Sequence, residues 1–338
     1  MSEDLYPHYI QALLDPDCYP HPVDTVRLVQ THISFVLLAG DFVYKFKKPV
    51  NFGFLDFSTL EKRKYCCEQE LALNRRLCPE IYLGLVRVNE DDGIINFDGQ
   101  GSLVEYGVKM QRMPEDRMMA RIIDRGELQV DHIQALVDVL VPFYETAERT
   151  SEIDTFGTAE AVSVNVLENF DQTQNFIDGR VLTQRQFDCI SAYARSVLAQ
   201  TDIFQARIDA GRIRDCHGDL YSANICLADK VYIYDCIEFN ERFRYCDVAS
   251  DVAFLAMDLD FHDLPELSKL FIDRFCVLSG DDGLRRMLNF YTCYRAYVRG
   301  KIGLFTAADP AVDAEVKKTS QEAAAAYFSL ACRYAEQG

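Results

Sequence analysis

Short apolar runs separated by polar turns fill residues 1–110, and they predict a small antiparallel sheet with one helix. Val26–Gln30 and Phe35–Leu38 are brief apolar segments, and apolar and polar side chains alternate over Phe42–Lys48. A helix is predicted to follow, with Ser58 as its N-cap and Pro79 just beyond its end. Three further strands complete the predicted order β-β-β-α-β-β-β.

The rest of the chain has mostly helical hydrophobic spacing, and the last of these predicted helices covers Ala311–Arg333. One β island interrupts the helices, with strands predicted over Asn224–Leu227 and Val231–Tyr234. The predicted fold class is therefore α+β. It comprises two lobes, a β-rich lobe over residues 1–112 and a larger helical lobe over residues 113–338.

The net charge of the chain limits the kinds of molecule that it is expected to bind. The chain has 338 residues with 53 acidic and 35 basic side chains, which gives a formal net charge of −18. Proteins that bind duplex nucleic acid present a basic surface, so this composition argues against a nucleic-acid partner. No apolar run approaches the roughly 20 residues of a membrane span. Met1–Tyr6 is acidic and lacks the features of a signal peptide. We therefore expect a cytoplasmic protein without a membrane partner.

The β island carries the strongest chemical signal. His217-Gly218-Asp219 precedes it, Asn224 opens it, and Asp235 follows its second strand. Phosphoryl transfer depends on positioning and charge neutralisation, so it needs a carboxylate to orient the attacking hydroxyl and oxygen ligands for Mg²⁺. Asp219 suits the first role, and Asn224 with Asp235 suits the second. His217 is interpreted as a structural residue that braces the loop.

This segment resembles the catalytic loop of the protein-kinase-like superfamily, and it is most similar to the aminoglycoside phosphotransferase and choline kinase branch. His-Gly-Asp stands there in place of the His-Arg-Asp of protein kinases. Asp235-Cys236-Ile237 stands where protein kinases have Asp-Phe-Gly. The resemblance implies a two-lobe kinase-like fold, ATP and Mg²⁺ as cofactors, and a small-molecule hydroxyl as acceptor.

A kinase-like protein also needs a lysine on the third strand and a glutamate on the following helix. Lys45 resembles the phosphate-binding lysine, and Lys47 is its rival because both lie on one strand face. On the helix, Glu70 is the preferred partner. Two further acidic residues are alternatives on that helix, Glu61 and Glu68.

The resemblance also implies where the nucleotide binds. The loop between the first two strands contains no glycine, but Ser34 matches the serine that helps to bind phosphates in aminoglycoside phosphotransferases, with Thr31 as a helper. An ordinary turn role for both hydroxyls is an equal alternative. Val43 is expected to lie over the adenine. The backbone of Met110 and Arg112 is expected to form the hinge that hydrogen-bonds it.

Several segments resemble one branch in particular: uncharacterised bacterial proteins whose kinase-like domain is often fused to a P-loop ATP-binding domain. These segments are residues 31–34, 48–61 and 235–240. The chain has no GxxxxGK[ST] motif, so a P-loop ATPase acting in trans is a candidate partner.

Charged residues of the later helices leave two interpretations open. Arg295 and Arg299 share a helix face and would either grip an anionic acceptor or form surface ion pairs. Asp247 and Asp251 are interpreted as structural anchors of the helix after the metal-binding strand. The leading hypothesis is a small-molecule kinase. The alternative is a nucleotide-binding pseudokinase that regulates a partner ATPase, and a protein kinase ranks third.

Overall fold

The computed structural model describes residues 6–310 and 312–338. Two predictions touch the remaining residues. The acidic start rests mainly on Met1–Leu5, and the last predicted helix begins at Ala311, so both lie partly outside the described residues. The chain forms two compact units. We call Met1–Arg117 with Ala228–Glu241 the sheet unit, and Met118–Leu227 with Arg242–Gly338 the helical unit.

The sheet unit contains one six-stranded antiparallel sheet in the order β1-β2-β3-β6-β4-β5. Its helices are α1 (His8–Ala12) and α2 (Leu60–Asn74). The six strands are β1 (Val26–Gln30), β2 (Ser34–Ala39), β3 (Phe42–Lys47), β4 (Tyr82–Asp91), β5 (Ile94–Phe97) and β6 (Ser102–Gln111). The predicted order of strands and helix is therefore confirmed, and α1 precedes it.

The alternation along β3 determines what each face of the sheet buries. Tyr44 and Phe46 belong to a core cluster that also contains Tyr9 and Ile10 of α1. Val43 points to the opposite face and packs on a second cluster that includes residues of α2. Lys45 and Lys47 share the face of Val43 because side chains two residues apart project to the same side.

Helix α2 begins one residue later than predicted. Thr59 is its N-cap, and its hydroxyl accepts a hydrogen bond from the Lys62 amide at 3.3 Å. Ser58 instead donates its hydroxyl to Asp56. The prediction of Ser58 as N-cap is therefore wrong. The helix ends at Asn74, and its inward face carries Glu70.

The helical unit contains most of the helices. They are α3 (Met119–Asp124), α4 (Val130–Thr146), α5 (Ser151–Thr155), α6 (Ala159–Thr173), α7 (Gln184–Leu198), α8 (Thr201–Asp209), α10 (Val248–Phe261), α11 (Pro265–Ser279), α12 (Leu284–Ala308) and α13 (Ala314–Gln337), with the short α9 (Glu241–Arg244) at its boundary. Helix α10 is apolar and buried almost all round, so it forms the centre of this unit.

Four short strands complete the fold. β8 (Ile225–Leu227) and β9 (Val231–Ile233) correspond to the predicted β island. β7 (Ile213–Asp215) and β10 (Tyr245–Asp247) form an antiparallel pair in the helical unit that the sequence did not reveal. The α+β fold class is confirmed. In the part of the chain that the structure describes, no helix combines the length and the apolar character that crossing a bilayer requires.

Candidate functional site

Lys45 is the centre of an ion cluster in the sheet unit. Its ammonium nitrogen lies 2.9 Å from Glu70 Oε1 and 2.5 Å from Asp235 Oδ1. Strand β3 supplies the lysine, α2 supplies Glu70, and the segment after β9 supplies Asp235, which is 190 residues from Lys45 in sequence. The structure thus brings together three residues that the sequence selected for one site.

A second lysine extends this cluster. Lys47 Nζ lies 2.7 Å from Glu70 Oε2 and also contacts Glu238 Oε1. Glu70 therefore bridges the two rival lysines, but the lysines differ in exposure: the Lys45 side chain is 14% exposed and that of Lys47 is 1% exposed. Glu238 was not predicted from the sequence. A buried ammonium group requires carboxylate partners, but the burial of Lys47 is visible only in the folded chain.

The lysines and Glu70 stabilise each other's charged forms, as the directions of their pKa shifts indicate. Burial alone would lower the pKa of Lys45, but Asp235 and Glu70 outweigh it and raise that pKa well above its usual value. Burial would raise the pKa of Glu70, but Lys45 and Lys47 outweigh it and lower the pKa to about 2. Both lysines and Glu70 are therefore charged at neutral pH.

Asp235 is held in an uncommon backbone conformation. Its φ is +62°, in the left-handed region that costs a non-glycine residue some strain. Its amide donates to the Tyr82 hydroxyl at 3.2 Å, and the next amide, of Cys236, donates to Asn74 Oδ1 at 2.9 Å. These contacts fix the turn, and the Asp235 side chain is 43% exposed. A carboxylate with that exposure is open to a further cation.

The helical unit contains the other predicted pair. Asn224 Nδ2 donates to both Asp219 Oδ2 and the Asp219 carbonyl oxygen, each at 2.9 Å. Gly218 has a φ of +88°, a conformation that favours glycine and turns the loop before Asp219. The Asp219 amide donates to His217 Nδ1 at 3.3 Å, so the His217 ring braces the loop as the sequence predicts.

Two buried residues, Asp251 and Arg295, hydrogen-bond to the backbone of the loop that carries Asp219. The amides of His217 and Gly218 donate to the fully buried Asp251 carboxylate at 2.7 and 3.0 Å. Tyr144 donates its hydroxyl to the same group at 3.1 Å. Arg295 donates to the Gly218 carbonyl oxygen at 3.0 Å and to Asp251 at 3.5 Å. Arg295 is therefore a buried support of the loop and not a surface residue.

Asp247 anchors the same region at the start of α10. It caps this helix by accepting from the Ala249 amide, and it forms a buried ion pair of 2.7 Å with Arg207. A second buried carboxylate, Asp281, also contacts Arg207. The structural interpretation of Asp247 and Asp251 agrees with these contacts.

Replacing Asp251 with asparagine should lower the free energy of unfolding by about 2–3 kcal/mol, because hydrogen bonds to a buried charge are lost. Urea denaturation measures this change. Asp209→Asn, an exposed site on α8, is the matched control and should leave the midpoint unaltered. An unchanged midpoint for Asp251→Asn would show that the carboxylate does not support the loop.

The remaining predicted residues lie on the sheet or directly beside its strands. Ser34 starts β2 opposite Lys47 and is fully buried, and its hydroxyl has no hydrogen-bond partner among the described residues. The Thr31 hydroxyl accepts from the Ser34 amide at 2.9 Å, which is a turn role. Val43 pairs with Met110 across β3 and β6. The Arg112 amide donates to the Asp41 carbonyl oxygen at 2.8 Å.

Comparison with known proteins shows which fold the chain has, but it does not show an activity. No family model matches the chain. Uncharacterised proteins of Mycobacterium tuberculosis (strain H37Rv) and Mycobacterium bovis are each 34% identical over 293 residues, which cover 85% of this chain and 57% of the relative. The chain thus spans little more than half the length of these relatives.

The fold is similar to that of a solved structure. A choline/ethanolamine kinase family protein from Mesorhizobium loti covers 98% of both chains with a TM-score of 0.50 and 11% sequence identity. At that identity the likeness concerns the fold. The chain therefore has the kinase-like fold of that protein, and the resemblance seen in the sequence is confirmed at the level of fold.

Proposed function

We propose that this chain is an ATP- and Mg²⁺-dependent phosphotransferase that moves the γ-phosphoryl group to a hydroxyl of a small molecule. The observation that carries the proposal is the contact of Lys45 with both Glu70 and Asp235. A lysine held by a helix glutamate and close to a metal-binding aspartate is the arrangement that kinase-like enzymes use on nucleotide phosphates.

In this proposal the sheet unit binds the nucleotide. Lys45 contacts the α- and β-phosphates, and Glu70 fixes the position of its ammonium group. Asp235 is a Mg²⁺ ligand because its carboxylate is partly exposed and Mg²⁺ prefers hard oxygen ligands. The bound metal would neutralise charge on the phosphates during transfer. Val43, Met110 and Arg112 stay predictions for the adenine site, as Ser34 does for the phosphates.

The helical unit supplies the residue that acts on the acceptor. Asp219 orients the acceptor hydroxyl and accepts its proton as the phosphoryl group is transferred. Asn224 holds Asp219 through its amide nitrogen, so its amide oxygen is the atom proposed to bind Mg²⁺. The loop that carries Asp219 is tied to buried Asp251 and Arg295, and such rigidity favours accurate positioning of the base.

The test compares nucleotide binding and turnover in the wild type and in Asp235→Asn. Thermal denaturation with ATP should show stabilisation that increases with Mg²⁺ in the wild type, because a ligand that binds only the folded state raises its stability. Asp235→Asn should lose the Mg²⁺-dependent part of this shift and the Mg²⁺-dependent release or transfer of phosphate. Asp229→Asn, an exposed residue just before β9, is the matched control and should behave as the wild type.

Two outcomes would contradict the proposal. Nucleotide binding without any phosphate release or transfer would favour the alternative, a pseudokinase that regulates a partner ATPase. Equal Mg²⁺ dependence in the wild type and Asp235→Asn would remove Asp235 from the metal site.

A further inference from the structure

Arg299 is a mostly buried cation of α12, one helical turn after Arg295. Its guanidinium carbon lies 4.7 Å from the ring centre of Tyr221 and 5.7 Å from that of Tyr327. Tyr221 is two residues beyond Asp219, so Arg299 packs directly on the loop that carries the proposed catalytic base. Stacking on aromatic rings fixes the plane of the guanidinium group.

The hydrogen-bonding capacity of Arg299 is not fully used. Arg299 forms no ion pair with a carboxylate among residues 6–310 and 312–338, and its buried Nε has no hydrogen-bond partner there. The other buried arginines of this unit differ. Arg207 pairs with two aspartates, Arg244 pairs with Asp215, and Arg295 contacts Asp251.

Two buried carboxylates of α10 have hydrogen-bond partners other than Arg299. Asp251 accepts from the loop amides, and Asp258 accepts from the Ser222 amide at 2.9 Å. Burial alone would lower the pKa of Arg299, but Tyr221, Tyr327 and the charge of Asp219 outweigh it and raise that pKa. Arg299 is thus a permanent cation within electrostatic reach of Asp219. A buried cation without a contacting carboxylate favours an anion as its partner.

We propose that Arg299 binds an anionic group, a carboxylate or a phosphate ester, of the acceptor whose hydroxyl is placed at Asp219. The inference rests on the proposed function and names its substrate class, small hydroxylated anions. Such an acceptor would supply an oxygen partner for Nε, in addition to the hydrogen bond that Arg299 forms with Tyr327. The acceptor hydroxyl would lie at the Asp219 carboxylate. A cationic acceptor at the same place would be repelled by Arg299.

The test uses four small probes of similar size: D-glycerate, sn-glycerol 3-phosphate, glycerol and ethanolamine. Isothermal titration and thermal denaturation of the wild type should give saturable binding for at least one of the two anions and none for glycerol or ethanolamine. The comparison of glycerate with glycerol phosphate tells which anion is preferred. Arg299→Gln should weaken the binding of that anion at least about tenfold, the effect of one lost charge-assisted contact.

Two further variants separate recognition from folding. Arg299→Lys keeps the positive charge but loses the planar guanidinium group, so it should bind the anion more tightly than Arg299→Gln does. A purely structural role of Arg299 would not produce this partial recovery of affinity. Lys301→Gln is the matched control, since Lys301 projects from another face of α12 and donates to Gln172 at 2.8 Å. Lys301→Gln should bind the anion as the wild type does. Circular dichroism checks that each variant is folded.

Three results would overturn the inference: ethanolamine binding as well as the anions, Arg299→Gln retaining wild-type anion affinity, or no saturable anion binding by the wild type. None of these measurements requires turnover. Anion binding through Arg299 in a protein that neither releases nor transfers phosphate would contradict the proposed function while leaving the anion site intact. Turnover with a cationic acceptor would contradict only the anion site.

Discussion

Asp219→Asn should lower the rate of phosphoryl transfer by roughly 10²- to 10⁴-fold, the usual contribution of a positioned general base. Asparagine keeps the size of the side chain, so the hydrogen bond with Asn224 can re-form and the loop should keep its shape. Nucleotide binding should persist, because the residues proposed to hold ATP lie in the sheet unit. Steady-state kinetics with saturating ATP measure the first effect, and titration calorimetry measures the second.

The exposed residue Asp209 again provides a matched control, and Asp209→Asn should retain full activity. Full activity of Asp219→Asn would refute the assignment of the base. Loss of nucleotide binding together with activity would indicate that the variant has altered the fold, and circular dichroism would detect that change.

Lys45→Met should reduce kcat/KM for ATP by about 10²- to 10³-fold, the range seen when one preorganised donor to a developing charge is removed. Methionine keeps the unbranched shape and most of the length of the lysine side chain, but it cannot donate a hydrogen bond to a phosphate. Glu70 and Asp235 then lose the ammonium group between them, so nucleotide affinity should fall as well. Initial rates over a range of ATP concentrations, with Mg²⁺ held in excess, give the two effects separately.

Lys47→Met is the control for this comparison, because Lys47 contacts the same glutamate from a position with almost no exposure. Its removal leaves Glu238 buried without its ammonium partner. We therefore expect the main effect on the free energy of unfolding, measured in urea. If Lys47→Met lost nucleotide affinity while Lys45→Met kept it, the two lysines would exchange roles.

The sequence predicted much of the sheet unit because its signals are local and periodic. Alternation along β3 was sufficient to place Lys45 and Lys47 on one face. Helical spacing separated Glu70 from Glu68, and the family resemblance made Glu70 the preferred partner. Glu238 could not be found in this way. It lies in an irregular segment 191 residues from Lys47, where no period links the two positions.

Other features of the fold could not be predicted from the sequence, each for a different physical reason. β7 and β10 have three residues each, which is too short to produce an alternating pattern. The inclusion of residues 228–241 in the sheet unit is a tertiary property that no local signal reports. For Arg295, helical spacing placed it on one face with Arg299 but did not show that Arg295 is buried under the loop, and the two interpretations considered were acceptor binding and surface ion pairing.

If Asp235 binds a divalent cation as proposed, its contact with Lys45 would make the ammonium group and that cation competitors for one carboxylate. A metal that takes Asp235 would release the lysine, and a phosphate that draws the lysine away would free Asp235 for the metal. Each ligand would therefore strengthen the binding of the other, and by thermodynamic linkage the two enhancements must be equal. Under the proposed function, cooperative uptake of nucleotide and metal would thus follow from one ion pair.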